Sequence, residues 1–209
     1  MATREQLQHA YIDYVLTNGA MPKSVYIFAK ENSLSETEFY TFFGSFEGIE
    51  ESVWSDLTEK TISDLRTQDI WLQYGAREKM LAFFYGYVEL LKSKRSFVVH
   101  SLKSIPKGFS TPKVLQRTKI VFLDFADEII KEGLASSELA ERKFFTEKYK
   151  NALWIQFVFI LNFWANDTST GFEKTDEAIE KGINVTFDLF QRTPFDSMLD
   201  FGKFIVRNK

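Results

Sequence analysis

The stretch from Trp154 to Trp164, WIQFVFILNFW, limits how this chain can fold more than any other feature. It is apolar on all sides yet too short to cross a bilayer, which takes about 20 residues. A helix of that composition has to be buried all round, one face on its own bundle and another on a partner subunit or a ligand. A dimer interface is the first expectation. The rest of the chain favours helices too: only 4 prolines and 10 glycines interrupt 209 residues, and no helical stretch alternates with a strand pattern. Apolar residues at 44% and charged residues at 26% are ordinary for a globular protein.

Short helices come first. Leu7, Ala10, Tyr11, Tyr14 and Val15 recur at helical spacing behind Thr3 and Gln6, which form a capping-box pattern, and Asn18-Gly19 stops the helix. Pro22 precedes a second stretch, Ser24 to Glu31, with Val25, Phe28 and Ala29 on one face, ended by Asn32-Ser33. Ser35 with Glu38 opens a third helix whose Phe39, Phe42 and Phe43 share a face. Ser45 is placed to cap a fourth, carried onward by Ile49, Val53, Trp54 and Leu57. Longer helical patterns follow over Tyr74 to Lys94, Thr111 to Lys131, Ser137 to Ala165, Lys174 to Phe190 and Phe195 to Ile205. The expected fold is all-α, with a short-helix head at residues 1–48 and a long-helix body at residues 49–209.

The head resembles the TetR family. The likeness is carried by Gly19, Ser24-Val25, Phe28-Ala29, Ser33-Leu34-Ser35, Phe39-Tyr40, Phe43 and Ser45-Phe46-Glu47-Gly48-Ile49, whose order and spacing match that family's helix-turn-helix and the start of its fourth helix. These residue types also have plain physical roles, since Ala29 lets two helices approach, Leu34 plugs the turn, and Phe39 and Phe43 fill a small core. The resemblance implies a recognition helix from Ser35 to Phe43 that offers Ser35, Glu36, Thr37 and Thr41 to base edges, with Tyr40 on phosphate. It also implies that Lys23 and Ser24 present the start of the second helix to another phosphate. The chain departs from the family in having Phe46 where most members have lysine. Residues 1–50 hold three cations against seven carboxylates, a net of −4, and phosphate repels such a surface.

For the body, the resemblance implies a helical bundle that dimerises through its last long helices and encloses an apolar effector site. Candidate lining residues are Phe83, Phe84, Tyr87, His100, Phe122, Phe125, Trp154, Phe157 and Asn162. The 22 phenylalanines suit such a site, although any single ring serves equally well as core. Gln156, Asn162 and His100 are polar groups in an apolar setting, and either orient a ligand or close hydrogen bonds within the core or an interface. Between Glu89 and Asp124 no acidic residue occurs, while Lys92, Lys94, Arg95, Lys103, Lys107, Lys113, Arg117 and Lys119 do. That run is either a solvated face balancing the acidic head or an attractor for phosphate, on DNA or on anionic lipid head groups.

Catalysis finds no support. The chain has no cysteine and only His9 and His100, and it lacks a Ser/His/Asp set, zinc-ligand spacing, a phosphate-binding loop and a dinucleotide turn. No cofactor or metal is expected. The segment MATREQLQHAY has no basic stretch followed by an apolar one, so the expected location is cytoplasmic. Two functions follow: a homodimeric, ligand-responsive DNA-binding repressor, or a TetR-fold protein that has lost DNA binding and carries a lipid or isoprenoid.

Overall fold

The computed structural model describes residues 3–103, 111–142, 146–191 and 204–205. These residues contain nine α-helices and no strand. The helices are α1 (Arg4–Asn18), α2 (Val25–Glu31), α3 (Glu36–Phe42), α4 (Phe46–Arg66), α5 (Ala76–Lys92), α6 (Arg95–Lys103), α7 (Gln116–Ala135), α8 (Tyr149–Asn166) and α9 (Glu173–Phe190). Among the described residues no helix is long and apolar enough to cross a membrane. The chain forms two compact units, one of Met1–Asp64 with Gly86–Phe122 and another of Leu65–Tyr85 with Leu123–Lys209.

In the first unit the expected caps form. Thr3 and Gln6 close a capping box on α1, and Gly19 ends that helix at φ 67°, a left-handed conformation that glycine adopts without a Cβ clash. Ser24 Oγ accepts from the Ile27 amide, and Ser35 with Glu38 forms the capping box of α3. The Ser45 hydroxyl accepts from the Gly48 amide at the start of α4. Between α2 and α3 the Leu34 amide donates to the Ala29 carbonyl at 2.8 Å while Ser33 takes a left-handed φ of 57°. α1 packs on α6 in the same unit. The sequence does not mark α6 as a separate element, because nine residues give its apolar Phe97, Val98, Val99 and Leu102 little length over which to show a period.

The second unit corrects one boundary. A single helix from Ser137 to Ala165 does not form: α7 runs on to Ala135, and α8 begins only at Tyr149. Ser137 takes φ 63°, and the Leu139 amide folds back onto the Gly133 carbonyl at 2.9 Å. A Cβ on Gly133 would lie 2.7 Å from Leu139 Cγ and 2.9 Å from Ala76 Cβ, so this close approach requires glycine. Glu138 is recruited elsewhere, its carboxylate accepting from the amides of Ala76 (2.6 Å) and Arg77 (2.9 Å) at the start of α5. Of the expected helix from Phe195 to Ile205, residues 195–203 lie outside the described residues.

α8 and α9 pack side by side, and the buried Asp167 sets their corner. Its carboxylate accepts from the amide and hydroxyl of Ser169 (2.8 and 2.6 Å) and from those of Thr175 (2.9 and 2.7 Å). Burial by itself penalises the charge, but these four bonds outweigh it and hold the carboxyl well below the usual carboxylate range. Replacing Asp167 with Asn should lower stability at neutral pH by on the order of 1–3 kcal/mol, measured by urea unfolding. A depressed carboxyl contributes fully above the ordinary Asp range and progressively less as pH falls below it. The gap between wild type and Asp167→Asn should therefore narrow below about pH 4. A gap that held constant into acid would refute the charge-based account.

Candidate functional site

The head is built on rings. Phe28 of α2 and Phe39 of α3 meet edge to face at 6.1 Å, and Phe46 at the start of α4 lies 5.3 Å from Phe28 and 5.5 Å from Phe39. Tyr11 of α1 stacks on Phe46 at 5.8 Å, and Tyr14 meets Phe28 edge-on at 6.3 Å. Phe46 is thus a core ring shared by all four helices, which accounts for an aromatic residue where the resembled family commonly has lysine. The Tyr11 phenol is pushed up by burial, with the Glu50 and Glu47 carboxylates adding to the effect.

On this nucleus α3 turns its other face to solvent. Ser35, Glu36, Thr37, Tyr40 and Thr41 are exposed, as are Lys23 and Ser24 before α2. Not all of them are chemically available. Ser35 Oγ accepts from the Glu38 amide, and Glu38 Oε2 accepts from the Ser35 amide at 2.9 Å. That amide, followed by the Ser35 hydroxyl, holds the Glu38 carboxyl below its ordinary pKa. Thr41 Oγ1 donates to the Thr37 carbonyl at 2.9 Å. Glu36, Thr37 and Tyr40 then remain the outward groups of α3 without a role in capping. Among the head's cations, Arg4 is held in an ion pair with Asp56 at 2.8 Å and lies over the Phe43 ring at 5.6 Å.

A polar seam between α1 and α4 was not anticipated. Gln8 is buried and its amide donates to Ser52 Oγ (2.8 Å) and to Asp56 Oδ2 (2.6 Å), the oxygen that also receives Arg4. The signal was present in the spacing: Gln8 shares the apolar face of α1 with Tyr11 and Val15, three and seven residues on. Elsewhere on α4, Trp54 Nε1 donates to Ser101 Oγ at 3.0 Å, and Ser101 Oγ donates to the Glu50 carboxylate. The same helix binds α5 through Thr58, whose Oγ1 lies 3.5 Å from the Tyr87 hydroxyl.

The candidate effector residues fall into separate groups. In the second unit Phe83 packs on Phe125 at 5.1 Å and on Phe157 at 6.3 Å, Phe84 lies 6.2 Å from Phe157, and Trp154 stacks on Phe157 at 5.1 Å. All five rings are buried. Tyr87, His100 and Phe122 belong to the first unit, where Tyr87 and Phe122 are buried and His100 is half-buried. Burial pushes the Tyr87 phenol up. Asn162 is exposed, its amide donating to the Val158 carbonyl of its own helix at 2.8 Å. It lines a cleft of about 330 Å³ with Phe159, Phe163, Asp167 and Lys174. Gln156 is half-buried and accepts from Thr186 Oγ1 at 2.9 Å, joining α8 to α9.

The apolar run from Trp154 to Trp164 is only partly covered. Within one chain α8 leaves Ile155 70% and Phe159 51% exposed, and α9 leaves Val185 60% and Leu189 64% exposed. Phe163 adds to the α8 face one turn beyond Phe159.

Residues 79–205 match the family model described as tetracyclin repressor-like, C-terminal domain. No curated protein sequence matches the chain. Among solved structures, a protein from Shewanella sp. PV-4 assigned as a tetR-family transcription regulator superposes with a TM-score of 0.60 at 14% identity, over 92% of this chain and 100% of its own. The fatty acid degradation regulator FadR of Bacillus halodurans gives a TM-score of 0.58 at 13% identity, over 88% and 98% of the two chains. A bacterial regulatory protein of the tetR family from Rhodococcus RHA1 gives 0.52 at 12% identity, over 91% and 97%. At these identities the likeness is one of fold.

The α1–α4 seam yields a direct test. Asp56→Ala removes the acceptor shared by Arg4 and Gln8 and leaves the Gln8 amide with Ser52 alone, so thermal or urea unfolding should show a loss of about 1–3 kcal/mol. A loss near zero would mean that the seam does not hold α1 on α4.

Proposed function

Because this chain belongs to the tetracyclin repressor-like family, we propose that it is a homodimeric, ligand-responsive DNA-binding transcriptional regulator, acting as a repressor. The observation that carries this reading is the third helix of the head at residues 1–48. Its inward ring, Phe39, is locked among Phe28, Phe43 and Phe46, so Glu36, Thr37 and Tyr40 face outward from a rigid support. A helix so presented is suited to a major groove, with Glu36 and Thr37 towards bases, Tyr40 towards phosphate, and Lys23 and Ser24 towards a neighbouring phosphate. A second copy of the chain is the proposed partner of the exposed apolar face on α8 and α9, which supports burial of Ile155, Phe159, Val185 and Leu189 against their counterparts. The proposed effector is a small apolar molecule or lipid that binds by displacing rings of the cluster formed by Phe83, Phe84, Phe125, Trp154 and Phe157.

One observation favours a second reading. Residues 1–50 hold three cations against seven carboxylates, and cation contacts supply most non-specific DNA affinity. On that reading the fold carries a lipid or isoprenoid and no longer binds DNA. Purified protein should retard fragments of its own genome at low salt, and affinity should fall as salt rises. Absence of retardation at low salt, together with a lipid that co-purifies in native mass spectrometry, would establish the second reading instead.

The dimer is tested separately. Phe159→Lys places a charge in the proposed interface and should weaken self-association on the order of 100-fold in sedimentation equilibrium, with helix content unchanged by circular dichroism. Undiminished association would place the interface elsewhere.

A further inference from the structure

A regulator whose residues 1–50 carry a net charge of −4 needs cations from beyond them, and the first unit contains such cations. α6 packs on α1, and its Ser101 donates to the carboxylate of Glu50 in the first turns of α4. Lys103 is exposed two residues further on. Lys113 is exposed as well, and lies close enough to Glu47 at the start of α4 to lower that carboxyl, after the larger effects of the Glu47 amide and Ser45. Arg117, also exposed, lines a cleft of about 280 Å³ with Arg4, Asp56 and Glu59. The first two-thirds of α4 is therefore flanked by cations from far along the chain, Lys113 and Lys103 near its start and Arg117 near its middle.

We propose that Lys103, Lys113 and Arg117 form a phosphate-binding flank for duplex DNA beside the head, supplying the backbone contacts that the head's own composition lacks. This rests on the DNA-binding reading above. Two observations set it apart from the other roles open to a basic segment. If these cations only balanced the head's carboxylates they would be expected to pair with them, yet among the described residues none of the three forms a salt bridge. A membrane-surface role needs apolar side chains free to insert beside the cations. Among the described residues Phe97, Val98 and Leu115 are buried in the fold, and Ile120 is the large apolar residue exposed beside the three cations. A rigid, regularly spaced array of phosphates, with no demand for insertion, suits what remains.

The test uses the full-length protein with mixed-sequence duplex DNA and, in parallel, phosphatidylcholine vesicles containing phosphatidylglycerol. Wild type, Lys113→Gln/Arg117→Gln and Lys148→Gln are compared by fluorescence anisotropy over a salt series, with circular dichroism confirming that all three fold. Lys148 is exposed in the second unit and controls for the loss of a positive charge outside the flank. Each lost phosphate contact flattens the plot of log affinity against log salt by about 0.9, so the double variant should lose about 2 from the slope and bind DNA tenfold or more weakly near physiological salt. Lys148→Gln should match wild type. If wild type binds DNA and the double variant keeps its slope, or Lys148→Gln falls equally, the flank is overturned while the regulator reading stands. If wild type fails to bind duplex DNA at low salt, both fall. Binding to the vesicles, lost in the double variant and without DNA binding, would assign the cations to lipid and overturn the proposal.

Discussion

The contact of Phe28, Phe39 and Phe46 carries the head. α2 and α3 each span seven residues, well short of the length at which a helix holds itself together in water. Caps at Ser24 and Ser35 satisfy their first amides, but a cap contributes only about 1 kcal/mol. What keeps α3 in one orientation is edge-to-face packing of three rings from three helices, closed from a fourth side by Tyr11. A lysine at position 46 would leave Tyr11, Phe28 and Phe39 without their common neighbour. Here the start of α4 serves the core, and its charge is lost from the surface.

That exchange has consequences for electrostatics. With Phe46 packed on Tyr11, Phe28 and Phe39 and Arg4 paired to Asp56, Lys23 and Lys30 are the head's exposed cations that form no ion pair among the described residues. Two of the carboxylates in residues 1–50 are engaged locally: Glu38 caps α3, and Glu50 receives the Ser101 hydroxyl. These bonds fix where the two carboxylates point without removing their charge, and the Ser35 amide and hydroxyl hold Glu38 more firmly ionised. Opposite charge arrives from Lys103, Lys113 and Arg117, which belong to the same compact unit.

The second unit shows how one polar group can replace a longer run of packing. Asp167 bridges the end of α8 and the first turn of α9 through four hydrogen bonds, and Glu138 caps α5 from a turn after α7. The buried Asp167 and the half-buried Glu138 are tolerated because amides at or before a helix start point at them, and the helix dipole favours an anion there. The rings of Phe83, Phe125 and Phe157 fill the space between, and the uncovered apolar residues gather on α8 and α9.

Much of this was legible beforehand because it is local. Capping boxes at Thr3 and Ser35, the stop at Gly19 and the faces of the short helices depend on residues three or four apart, so the all-α class and the three-helix head could be read from spacing alone. The burial of Phe83, Phe84, Phe125, Trp154 and Phe157 was likewise foreseeable from their apolar character, and so was an uncovered face in the run from Trp154 to Trp164. Contacts between residues distant in sequence were not legible. No local signal joins Gln8 to Asp56, Trp54 to Ser101 or Glu138 to Ala76, and helical propensity runs straight through Ser137, where the chain in fact turns back to let Leu139 reach Gly133. Local spacing determined which segments became helices. Tertiary packing alone decided which polar side chains found partners, because a buried donor is satisfied by whatever acceptor the fold brings within about 3 Å, regardless of its place in the chain.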